Sequence, residues 1–190
     1  MTFRRPVLVA YRDEWVTEAA QLIDALRDVL GDIAQRIEHI GSTAIPSMAS
    51  KDVIDLQVSV VELTSVESQF DLALGGRGFE RSPYQMDHVP CGRADVEAQW
   101  EKRLWTRRVP HAIDVNLHVR RVGSENERLA LLFRDWFLAH EGAVLAYGKF
   151  KQSLSAITED TGVYADVKDS VVDVVIVAAE EWAEQIGWSV

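Results

Sequence analysis

Two stretches of this chain alternate between apolar and polar side chains with a period of two, and the β-strand is the backbone form that has this period. Between Asp52 and Val60, Ile54, Leu56, Val58 and Val60 fall on one side, and Val53, Asp55, Gln57 and Ser59 on the other. In HAIDVNLHVRR, Ile113, Val115, Leu117 and Val119 are apolar, while Asp114, Asn116, His118 and Arg120 are polar. Each stretch predicts a strand with one face toward a core and one polar face. A chain with two such strands must cover their apolar faces, and the helical patterns around them supply the cover.

The first helical pattern follows Asp13, a candidate N-cap. Trp15, Ala19, Leu22, Ile23, Leu26 and Leu30 keep helical spacing, and Gly31 ends the run. A short β-like segment spans Arg36 to Ile40, and a helix is expected from Val66 to Leu74, ended by Gly75 and Gly76. Residues 77–121 read as strands with loops. Three helices then close the chain. Ser124 and Glu127 form a capping-box pattern before the first. The second is expected from about Gly142 to Ile157, and the third from near Asp169, with Val172, Val175, Ile176, Ala179 and Trp182 in period. Trp15, Trp136 and Trp182 lie on apolar helix faces and read as core. The expectation is an α/β (α+β) domain: a mixed sheet covered on one face, with the C-terminal helices packed beside it. Residues 1–190 form one domain, with a core of about 1–121 and a helical part of about 122–190.

The polar stripes suggest chemistry. If the two strands are neighbours with matching faces, Asp55 and Asp114 approach each other. Paired carboxylates need a cation, a proton or an arginine between them. Magnesium suits oxygen donors, so Asp55, Gln57 and Asp114 are its candidate ligands. Before the first strand lies Gly41-Ser42-Thr43, a turn whose N–H groups and hydroxyls could grip a phosphate, with Lys51 at the strand entrance. His39, His118 and Arg120 could line the same cleft, the histidines as general bases, phosphate ligands or simply hydrogen-bonded structural groups.

Composition narrows the classes. Hydrophobic residues make up 47% and charged residues 26%, which allows a packed core and argues against disorder. No apolar run approaches the roughly 18 residues that span a bilayer, and MTFRRPVLVAYRDEW does not read as a signal peptide. Cys91 is the only cysteine, so an internal disulfide is impossible and a reducing cytoplasm is expected. The formal charge of −10 disfavours binding to an extended nucleic acid. Against that average, Lys102, Arg103, Arg107, Arg108, Arg120 and Arg121 crowd one stretch, either as a solvated strand face or as a local anion site.

The order of these motifs resembles the GrpB family. In IEHIGSTAIPSMASKDVIDLQV the matching residues are His39, Ile40, Gly41, Ser42, Thr43, Pro46, Lys51, Ile54 and Asp55. Asn116-Leu117-His118-Val119, the helix segment Leu132 to Phe137, and the Tyr147 to Lys151 spacing extend the resemblance over nearly the whole chain. It implies a nucleotidyltransferase-like fold of the polymerase-beta kind, and similar domains occur fused to dephospho-CoA kinase. An active transferase of that kind carries two carboxylates at i and i+2 and a third on a later strand. Here Gln57 stands at i+2.

These residues lead to an expected function. The chain binds a phosphate-bearing small molecule, such as a nucleotide with magnesium. Gly41, Ser42, Thr43, Lys51, His39 and Arg120 hold the ligand, and Asp55, Asp114 and His118 stand at any reacting centre. The alternatives are an active nucleotidyltransferase of unknown acceptor and a non-catalytic protein that binds a protein partner.

Overall fold

The computed structural model describes residues 5–93 and 96–190. Residues 1–4, part of the N-terminal stretch read above, lie outside the described residues. The elements are α1 (Glu14–Leu30), β1 (Arg36–Ile40), β2 (Val53–Val60), α2 (Leu63–Gly75), β3 (Phe79–Arg81), β4 (Lys102–Arg107), β5 (Asp114–Arg121), α3 (Glu125–Ala139), α4 (Glu141–Ile157) and α5 (Thr161–Ile186). The strands form one mixed sheet in the order β1-β2-β5-β4-β3. The two alternating strands lie side by side and parallel, and the other pairings are antiparallel.

The apolar face of β2 and β5 packs on α1 and α2. Leu56, Val58, Val115 and Leu117 are fully buried there with Trp15, Phe70 and Leu74. Each such side chain contributes about 1.5–3 kcal/mol through burial. Two buried indoles keep their N–H groups satisfied: Trp15 donates to Asp52 at 2.8 Å and Trp105 to Asp71 at 2.9 Å.

The polar face is also covered, which differs from the sequence expectation. The C-terminal helices lie over it rather than beside the sheet. Gln57 Nε2 on β2 donates to the Glu127 carbonyl of α3. Arg134 of α3 donates to Glu38 of β1 at 2.8 Å, and Lys151 of α4 reaches Ser42. Polar side chains on this face therefore meet a second layer instead of solvent, and they must be satisfied within it.

The helix starts carry further differences. Asp13 precedes α1 but makes no capping bond with its side chain. Before α3, Glu127 accepts from the Gly123 N–H at 2.7 Å, whereas the Ser124 hydroxyl shares its one proton between the Arg121 carbonyl and the Asn126 side-chain oxygen. Only the glutamate half of the capping box forms, one residue early. Helix α5 begins at Thr161, well before Asp169, because the Asp160 carboxylate accepts from the Gly162 and Val163 N–H groups.

Candidate functional site

The cavity between the polar sheet face and the C-terminal helices has a volume of about 450 Å³, a size typical of small-molecule sites. At its sheet end β1 stops and Gly41 turns the chain with φ 70° and ψ −168°, a region open essentially to glycine alone. A Cβ at this position would sit 2.7 Å from Asp55 Oδ2. The glycine therefore lets the turn press directly against Asp55. Gly41→Ala is expected to cost about 2 kcal/mol through backbone strain and displacement of Asp55, which thermal denaturation would measure.

The turn continues into Ser42, whose Oγ accepts a hydrogen bond from Lys151 Nζ at 2.8 Å. Lys151 is buried, at 2% exposure. Burial, reinforced by Lys168 and Lys51 against the pull of Asp55, pushes its pKa down to about 7. The ammonium also lies 5.1 Å from the centre of the Tyr147 ring, one turn earlier on α4. Lys51 is arranged in the same way, 5.5 Å from the Tyr164 ring of α5. Its pKa is lowered by desolvation at the cavity wall, then by Lys168 and Arg108, against Asp55 and Asp169. Lys168 of α5 lines the same wall and pairs with Asp169 at 2.7 Å. Lys51 and Lys151 thus share the field of Asp55, with the Lys168–Asp169 pair on the same cavity lining, and an added anion would favour their charged forms.

Asp55 faces Asn116 in the register of β2 and β5, and Asn116 Nδ2 donates to its Oδ1 at 2.7 Å. His118 Nε2 lies 3.6 Å from the same oxygen. Burial alone would raise the Asp55 pKa. The adjacent His118, the Asn116 amide and the Lys51 charge outweigh burial and hold the carboxyl below its ordinary value. His118 is pushed down, first by desolvation and then by Arg120 and Lys102, so its ring is neutral at physiological pH. Its Nδ1 is buried and has no partner among the described residues.

The structure brings together most of the residues expected from the sequence. Gly41, Ser42, Lys51, Asp55, His118 and Arg120 line the cavity. The others do different work. Thr43 is fully buried and bonds to His39 Nε2 at 2.9 Å. Burial, with Arg134 nearby, lowers the His39 pKa to about 4 against the pull of Asp55, so this histidine ties the turn to β1 as a neutral ring. Gln57 is fully buried and accepts from Arg120 Nη1 at 2.5 Å. Asp114 corrects the carboxylate pairing. It shares the Asp55 face but sits opposite Val53, two residues away in register, beside Arg108 at 3.5 Å. An offset of two residues on neighbouring strands sets the backbones of Asp55 and Asp114 about 8 Å apart, and Asn116 takes the place expected for Asp114.

The basic stretch of β4 and β5 is largely spent on ion pairs. Lys102 and Arg120 both bind Asp87, at 2.6 and 2.8 Å, and Arg103 binds Glu67 and Glu101. Lys151, Lys168 and Asn116 are among the cavity residues to which sequence reasoning gave no role. The Tyr147 to Lys151 spacing was the available signal for the first.

Of the donors expected for magnesium, only Asp55 Oδ2 stands at the cavity without a hydrogen bond among the described residues. Asp55 Oδ1 holds Asn116, the Gln57 amide oxygen holds Arg120, and Asp114 lies off the cavity wall. Among the described residues no group of three His, Cys, Asp or Glu is placed to hold a metal ion. This donor set does not fit a magnesium ion held by the protein. Among the same residues no helix is long and apolar enough to cross a membrane.

Comparison with known proteins places these features in a wider group. A family model described as GrpB protein matches residues 5–177. A dephospho-CoA kinase of Mycolicibacterium paratuberculosis is 32% identical over 97% of this chain, which spans 49% of that protein. The chain thus covers about half the length of that relative. The crystal structure of the conserved protein GrpB from Enterococcus faecalis superposes with a TM-score of 0.67 at 23% identity, covering 96% of this chain and all of that one. This match shows a shared fold. A Cid1 poly(U) polymerase solved with MgATP bound gives a TM-score of 0.48 at 17% identity over 75% of this chain and 45% of that one, a likeness that says nothing about chemistry here.

Proposed function

The chain belongs to the GrpB protein family, and we propose that it binds a phosphate-bearing small molecule, of which a nucleotide is one form, in the cavity over its polar sheet face. The observation that carries this reading is the buried Lys151 ammonium, 2.8 Å from the Ser42 hydroxyl, with Lys51 and Lys168 on the same wall. Phosphate oxygens accept bonds from ammonium and hydroxyl groups together, and such charge-assisted bonds are stronger than neutral ones. The relative named as a dephospho-CoA kinase is consistent with a phosphate-bearing ligand.

The rest of the cavity suits the remainder of such a molecule. Leu129, Phe133, Val172 and Ile176 give it an apolar wall. Asp55 is the carboxylate nearest the turn, with the neutral Gln57 two residues further along β2 and the neutral Asn116 opposite it on β5. Recognition without group transfer is therefore the reading these residues support best.

Thermal shift with inorganic phosphate, AMP and ATP tests it. A ligand at 100 times its dissociation constant stabilises the folded chain by about 2.7 kcal/mol, so at least one of these probes should raise the melting temperature by several degrees. The same probes should fail on Ser42→Ala combined with Lys51→Ala. Equal shifts in the wild type and this variant, or none in either, would remove the proposal.

A further inference from the structure

We infer that the phosphate is taken without a divalent ion, the Lys51, Lys151 and Lys168 ammonium groups standing where a metal-dependent site would gather cations. The inference rests on the phosphate reading above and deepens it. It starts from what the side chains of the cavity are already doing. Asp55 is the one carboxylate pressed against the turn, and its Oδ1 is held by Asn116 at 2.7 Å. Gln57 is fully buried with its oxygen on Arg120, so turning it toward an ion would break a buried bond. Asp87, the next carboxylate along the cavity, is held by Lys102, Arg120 and Asn126. Asp169 is paired with Lys168.

The cations, by contrast, line the cavity. Lys151 bonds to Ser42. Lys51 lies two residues before β2, within the field of Asp55. Lys168 lies close enough to Lys151 and Lys51 for their charges to disfavour one another. A dication added here would meet the Lys51 and Lys151 charges, with Lys168 already paired to Asp169, and few free oxygens. A phosphate would meet the reverse, the Lys51 and Lys151 donors and an accepting or donating hydroxyl. The ligand class that follows is a metal-free phosphate monoester or diphosphate. A nucleoside triphosphate carrying its own magnesium would bring a cation into the crowd.

The test is titration of the wild-type chain with AMP and with ADP, in chelator and in excess magnesium, followed by calorimetry and thermal shift. The expected result is a dissociation constant within about twofold in both buffers for AMP, and weaker binding of ADP when magnesium is present. Lys151→Met should weaken both ligands by at least about tenfold in either buffer. Magnesium alone should leave the melting temperature of the wild type and of Asp55→Asn unchanged. Binding that appears only with magnesium, or a magnesium-only shift lost in Asp55→Asn, would overturn the inference and leave the phosphate reading standing. No binding in either buffer would overturn both.

Discussion

Replacing Lys151 by methionine is expected to make the folded chain more stable while removing the phosphate contact proposed for it. The lysine is buried and its pKa falls to about 7 from an ordinary 10.5. Between these values the unfolded chain binds a proton that the folded chain has lost. The penalty is therefore complete below pH 7 and fades as pH rises toward 10.5. It amounts to about 4–5 kcal/mol, offset by about 1–2 kcal/mol from the Ser42 bond and the Tyr147 contact. Lys151→Met should accordingly gain about 3 kcal/mol below pH 7, a rise in melting temperature of about 6–12 °C, and the gain should shrink in alkaline buffer. Phosphate binding by the wild type should weaken as pH climbs through about 7, because the neutral amine no longer attracts the anion. Melting curves and calorimetry across this range check both statements. A residue that costs stability yet is kept in a cavity is the pattern of a functional group.

The opposite outcome is expected for Arg120→Met. This arginine joins Gln57 on β2 to Asp87 in the loop between β3 and β4, and Asp87 also takes Lys102 and Asn126. Burial works to raise the Asp87 pKa, but the Arg120 charge and bond, together with Lys102, hold it far below the ordinary carboxylate value. The ionised network therefore contributes stability above the unfolded carboxylate pKa, near 4, and loses it as pH falls. Removing Arg120 leaves a buried carboxylate short of charge and a buried amide oxygen without a donor, at a cost of about 3–5 kcal/mol. The loss should be full at pH 7 and smaller below about pH 4, where Asp87 of the variant takes up a proton. Adding Asp87→Asn should recover part of it, since the two residues form one network. Urea denaturation at two pH values measures each arm.

Much of the sheet was legible because period-two alternation reports a face directly. Ile54 to Val60 and Val115 to Val119 are buried as their spacing implies. Register was not legible, because it depends on where each strand begins against its neighbour, and no local pattern encodes that. A shift of two residues put Asn116 opposite Asp55 and moved Asp114 to Arg108. The early start of α5 was hidden for a local reason. Its first turns bury only Tyr164, and the cap depends on one aspartate beside a glycine. The cationic wall was hidden for a global reason. Lys51, Lys151 and Lys168 lie far apart in sequence and meet only when α4 and α5 fold over the polar stripe.

That folding-over gives the cavity a mechanical meaning. Its floor is made by the first two-thirds of the chain and its roof by the last third, and the Ser42 to Lys151 bond spans the seam. Anything seated there grips both sides and works as a clasp. With the clasp in place, the helical layer cannot peel from the strands without first releasing its guest, so protease resistance of the linkers around α4 should rise with occupancy.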